Sequence, residues 1–136
     1  MTDMDQKNLL VFLSHASEDK KQVRNLCKWL RDDGFDPWLD DERLLPGQDW
    51  DLEIEKALRT SDAILLCFSA LSVAKEGYIQ REYKRAMKYL EEKPEGTIFV
   101  IPVRLDDCEL PHFMREIQWV DHPGDYDRLV MSLQVR

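Results

Sequence analysis

The chain has 136 residues, 43% of them hydrophobic and 34% charged, with a formal charge of −8. That length holds one domain with one sizeable core, and an acidic chain without a Lys/Arg stripe argues against nucleic acid as a direct partner. No apolar run approaches the roughly eighteen residues of a membrane span, and MTDMDQKN lacks the basic and apolar regions of a signal peptide, so no membrane partner and a cytoplasmic location are expected.

Residues 1–8 are expected to form a flexible N-terminal segment and residues 9–136 the domain. LLVFLS, residues 9–14, is a short apolar run suited to a strand buried on both faces. Ser17, Glu18 and Asp19 supply an N-cap and first-turn acids, and Val23, Leu26, Cys27 and Leu30 recur at helical spacing. Gly34 ends that helix, and FDPWL forms a second strand in which Pro37, lacking an N–H, suits a sheet edge. Residues 40–50 read as a loop with Pro46-Gly47 at its tip. A second helix then carries Trp50, Ile54, Ala57 and Leu58 as far as about Thr60.

AILLCFS, residues 63–69, is the most apolar run and reads as a central strand. A link, ALSVAKE, leads to a third helix over residues 77–91, and Pro94 and Gly96 break the chain before the strand TIFVIPV. A short strand near residues 117–120 and a terminal helix complete the order. That helix stops abruptly, as in a domain excised from a longer chain. Strands alternating with helices predict an α/β, flavodoxin-like three-layer sandwich, with a five-stranded parallel sheet in the order 2-1-3-4-5. Ligands of such sheets sit beyond the carboxyl ends of the strands, which singles out residues 14–19, 40–50 and 69–82.

Several chemistries lack their residues. There is no GxGxxG after the first strand, no GxxxxGK[ST] and no GxSxG, so neither a dinucleotide fingerprint, a P-loop nor an acyl-transfer elbow is present. His15, His112 and His122 lack zinc spacing, so no metal is expected. The third strand ends in Cys67-Phe68-Ser69 where a phospho-receiver needs an aspartate. Cys27, Cys67 and Cys108 are odd in number and have no CxxC spacing, which reads as buried reduced thiols. A small anionic ligand stays possible, since helix N-termini bind phosphate even in acidic proteins.

On the third predicted helix, Ile79, Tyr83, Ala86, Met87 and Leu90 form one apolar stripe. Tyr78 and Glu82 lie about 40° apart on one flank of it, with Tyr78 in the first turn, on the ligand side of the sheet. A plain reading exists for each candidate: Glu82 pairs with Arg85, Tyr78 shields the sheet edge, Asp40 turns a loop, and Trp50 anchors a helix. His15 and Ser72 are equally readable as a loop residue and a cap.

The motifs together resemble the TIR (Toll/interleukin receptor) domain family. VFLSHASEDK (residues 11–20) is similar to its first signature box, WLDDERLLPGQDW (residues 38–50) to its second, and SDAILLCFSALSVAKEGYIQRE (residues 61–82) to its third strand and third-helix entrance. The likeness extends over residues 9–136. It implies the NAD-cleaving, bacterial-type subclass, in which a helix glutamate follows an aromatic by four residues, here Tyr78-x-x-x-Glu82 with Tyr in place of Trp. By the same resemblance Glu82 is catalytic, and His15, Asp40, Trp50, Ser72 and Tyr78 contact the substrate. Leu45, Pro46 and Gly47 form an assembly loop, the partners are NAD⁺ and other TIR domains, and no cofactor is required. The implied product is ADP-ribose or a cyclic isomer, made in immune or cell-death type signalling. Other members of the family are non-catalytic adaptors that act through TIR–TIR contacts.

Overall fold

The computed structural model describes residues 9–111, 114 and 117–135, so the expectation for residues 1–8 lies outside the described residues, as does His112. Five strands, β1 (Leu10–Ser14), β2 (Asp36–Trp38), β3 (Ala63–Phe68), β4 (Val100–Arg104) and β5 (Val120–Asp121), form one sheet in the order β2-β1-β3-β4-β5. All four pairings are parallel, so the predicted order and the edge position of Pro37 are both found. Helices α1 (Lys20–Asp32), α2 (Asp40–Arg43), α3 (Trp50–Thr60), α4 (Ala70–Ala74), α5 (Tyr78–Leu90) and α6 (Tyr126–Val135) connect and follow the strands.

Strand alternation divides the core into two layers. Val11, Leu13, Ala63, Leu65, Cys67, Ile101 and Val103 meet Val23, Leu26 and Leu30 of α1 and Leu129 and Leu133 of α6. Their neighbours in sequence, Phe12, Ile64, Leu66, Phe68 and Val100, meet Ala57 and Leu58 of α3 and Ile79, Ala86 and Tyr89 of α5. Every residue of β3 is buried, as its unbroken apolar run requires of a central strand covered on both faces. Cys27, Cys67 and Cys108 are free and buried; burial pushes the Cys27 and Cys108 thiols up to about 12, where they are inert.

Five local expectations are corrected. Residues 40–43 close into the short helix α2 within the predicted loop, and residues 70–74 form α4 where a plain link was expected. On α5 the buried set is Tyr78, Ile79, Ala86 and Tyr89, while Tyr83, Met87 and Leu90 only flank the core. The fourth strand starts at Val100 rather than Thr97, and the fifth runs over Val120–Asp121 rather than residues 117–120.

Pro102 accounts for the shortness of β5. Phe99 and Leu105 bond to β3, whereas the Arg104 carbonyl accepts from His122 N–H beyond β5, so alternate residues Val100, Pro102 and Arg104 face the β5 side. Pro102 has no N–H to offer there, and pairing begins only at Val103↔Val120. Arg104 then clamps β5 by donating from Nε to Asp121 Oδ1 (2.7 Å) and from Nη2 to Oδ2 (3.0 Å).

Candidate functional site

Gly77 is the N-cap of α5, and its φ of +73° lies in the left-handed region that favours glycine. The helix entered this way lies over the layer of Phe12 and Phe68. Ser14 is two residues beyond Phe12 and so emerges on the same face, at the carboxyl end of β1. Its hydroxyl donates to Glu82 Oε1 at 2.6 Å. The Arg85 Nη1 atom stands 4.0 Å from the same oxygen, at the outer limit of an ion pair. Glu82 keeps a side-chain exposure of 15%, against 42% for Arg85, so the carboxylate is held in a recess rather than solvated on the helix surface.

That recess is a cleft of about 70 Å³ lined by Phe12, Leu13, Ser14, His15, Trp38, Asp40, Ile54, Glu82 and Arg85. Phe12 and Trp38 stack with their centroids 5.0 Å apart and give it an aromatic wall. His15 Nδ1 lies 3.3 Å from the Leu13 carbonyl oxygen. A carbonyl only accepts, so Nδ1 is the donor in this contact. Asp40, the first residue of α2, accepts the Asp41 N–H at 2.7 Å and lies 3.5 Å from Lys20 Nζ, which ties it to the start of α1.

The structure therefore brings His15, Asp40 and Glu82 together and places the other sequence candidates elsewhere. Trp50 opens α3 behind the Asp49 cap and is 59% exposed. Ser72 is fully buried; its hydroxyl accepts the Ser69 N–H (2.8 Å) while the Ser69 hydroxyl accepts the Ser72 N–H (3.3 Å), a capping box for α4. Tyr78 is 7% exposed and meets Phe68 edge-on at 6.4 Å, beneath α5 rather than along the cleft. Its hydroxyl is buried without a hydrogen-bond partner, and burial first, then the Glu82 carboxylate, push its pKa up, so it stays protonated. Leu45, Pro46 and Gly47 are exposed on the loop between α2 and α3, with Gly47 at φ +90°.

Ser14, Trp38 and Arg85 are cleft residues that sequence reasoning missed. The signal for Ser14 was available: it shares strand parity with Phe12, hence the face that carries α5. A much larger apolar groove, about 560 Å³, lies between the end of α5, the start of β4 and α6, lined by Met87, Leu90, Val100, Met131 and Val135 among others. It is far from the strand carboxyl ends and holds none of the candidate residues. Among the described residues no group of three or more His, Cys, Asp or Glu is arranged to hold a metal ion. No helix among them is long and apolar enough to cross a membrane.

Fold and cleft define a doubly wound α/β domain with its candidate site at the carboxyl edge of the sheet, beside the point where the strand order reverses. The chain belongs to the TIR domain family, whose model matches residues 11–133. Among solved structures it is similar to the TIR domain of the Toll-related receptor TRR-2 from Hydra magnipapillata, with TM-score 0.72 and 18% identity over 91% of this chain and 97% of that one. It is also similar to a metazoan TIR-STING receptor from C. gigas in complex with 2′,3′-cGAMP (TM-score 0.71, 17% identity), covering 91% of this chain but 39% of the receptor. A third likeness is to the TIR domains of the activated Roq1 resistosome that recognises the pathogen effector XopQ: TM-score 0.60, 20% identity, 94% of this chain and 80% of that one. At these identities the likeness is one of fold. No curated protein matches the chain.

Proposed function

We propose that this TIR domain cleaves NAD⁺ between nicotinamide and ribose, with Glu82 as the catalytic residue. The observation that carries the reading is the convergence of Glu82, His15 and Asp40 on one cleft at the carboxyl edge of the sheet. Glu82 is fixed there by a 2.6 Å bond from Ser14.

The chemistry asks little else of the protein. Nicotinamide in NAD⁺ is already a cationic leaving group: the C1′–N bond breaks, its electron pair stays with nitrogen, and nicotinamide departs neutral. Positive charge then develops on the ribosyl centre, where a carboxylate held in a recess stabilises it without a metal. Water capture at C1′, with loss of a proton to solvent or carboxylate, gives ADP-ribose; capture by a nucleophile of the same molecule gives a cyclic isomer. His15 and the Asp40 carboxylate line the cleft where ribose hydroxyls would be held, and the Phe12–Trp38 pair offers an apolar wall.

The size of the cleft bears on how the domain works. About 70 Å³ is well below the roughly 300–1,000 Å³ of a pocket that encloses a ligand, so one copy covers only a fraction of a dinucleotide. Leu45, Trp50 and Leu52 are 62%, 59% and 48% exposed around the loop before α3 and at its start, a surface suited to contact with a second TIR domain. Self-association that completes the pocket follows, in immune or cell-death type signalling. The same exposed surface favours one alternative, a non-catalytic TIR adaptor. Release of nicotinamide from NAD⁺ by concentrated protein, compared with Glu82→Gln, separates the two: an adaptor turns over nothing at any concentration.

A further inference from the structure

Glu82 depends on a residue outside its own helix, and this extends the NAD⁺-cleaving reading. Both of its contacts, Ser14 at 2.6 Å and Arg85 at 4.0 Å, fall on the same oxygen, Oε1. A serine hydroxyl carries one proton, and here it is spent on the carboxylate. Ser14 is itself only 7% exposed and is the last residue of β1, a strand bonded to β2 on one side and β3 on the other. Its backbone is therefore among the most constrained at the cleft. Glu82, by contrast, sits on a three-bond side chain in the second turn of α5, beyond a glycine N-cap that offers no side-chain bond. Without the serine, the nearest fixed partner is an arginine that is 42% exposed and at ion-pair limit.

We infer that Ser14 is the positioning residue of the site: its hydroxyl pins Oε1 to the rigid end of β1, so that the second carboxylate oxygen is the one offered to the ribosyl centre.

The test is steady-state NAD⁺ cleavage by the wild type, Glu82→Gln, Ser14→Ala, Ser14→Thr and Ser14→Cys, each checked for folding by thermal melting. Loss of one hydrogen bond to a charged group predicts a fall in kcat of about ten- to a hundred-fold in Ser14→Ala with KM within about two-fold, recovered in Ser14→Thr, which keeps the donor. Ser14→Cys keeps the shape but donates weakly, so it lies between; it replaces Ser14→Ala in the comparison should that variant fail to fold. A Glu82-dependent wild type with an unchanged kcat in Ser14→Ala overturns this inference alone. So does an equal loss in Ser14→Ala and Ser14→Thr, or a rise in KM at constant kcat, which would make Ser14 a substrate contact. A wild type that releases no nicotinamide overturns the parent reading and this one with it.

Discussion

Tyr78 places its ring against Phe68 and its hydroxyl in the core without a partner, so ring and hydroxyl make opposite predictions. Tyr78→Phe keeps the ring and deletes an unsatisfied polar atom; its stability in urea denaturation should be within about 1 kcal/mol of the wild type, or higher. Tyr78→Ala empties the space and should cost about 3–5 kcal/mol. His122 is a second buried polar residue, in edge contact with Trp29 at 4.9 Å. Its Nε2 lies 3.0 Å from Asn25 Oδ1, an acceptor, so Nε2 carries the proton and Nδ1 is left buried without a partner. Protonating Nδ1 would bury an N–H with no acceptor, and burial accordingly holds the His122 pKa below its ordinary 6.5. The unfolded chain binds that proton more readily than the fold, so the stability present above about pH 6.5 is lost as pH falls below it. Melting temperatures from about pH 7.5 to 5.5 should fall for the wild type and fall less for His122→Phe, which keeps a ring but cannot titrate. Asp121, held below the usual carboxylate range by its hydrogen bonds from Arg104, titrates below this window.

Among the elements, α3 has the clearest local signal. Asp49 accepts the Leu52 N–H at 3.1 Å as its N-cap, and Asp49→Ala should cost about 1 kcal/mol, read as a shift in the denaturation midpoint at unchanged slope. Elements with sustained patterns were legible in the chain: Val23, Leu26, Cys27 and Leu30 face the core as their spacing required, and the all-apolar β3 is central. The elements that escaped were α2 and α4, of four and five residues, because one turn of helix is too short to show a period. Tyr78 was misread for a geometric reason. Helical side chains tilt toward the N-terminus, so a first-turn ring reaches back over Phe68 at the end of β3 although its angular neighbour Glu82 faces the cleft. The segments that hold His15, Asp40 and Glu82 were legible from the rule that ligands bind at strand carboxyl ends, and the residues themselves from the family resemblance. Trp38 and Arg85 were not, since nothing in their local pattern sets them apart from a strand aromatic and a helix surface charge.

At the scale of the whole molecule, a cleft of about 70 Å³ beside an exposed loop predicts that turnover depends on protein concentration. Leu45 is 62% exposed, so Leu45→Asp should leave stability within about 0.5 kcal/mol while lowering both self-association in sedimentation and specific activity. Gly47, at φ +90°, is the loop position where any side chain is strained, and Gly47→Ala should act in the same direction. These effects presuppose that Glu82 acts on bound NAD⁺. The direct test is nicotinamide released from NAD⁺ by concentrated wild-type protein and by Glu82→Gln, with matched folding confirmed by circular dichroism. The account predicts release by the wild type, rising more than linearly with protein concentration, and none above background by Glu82→Gln. Equal release by both, or none by a folded and self-associated wild type, would contradict it.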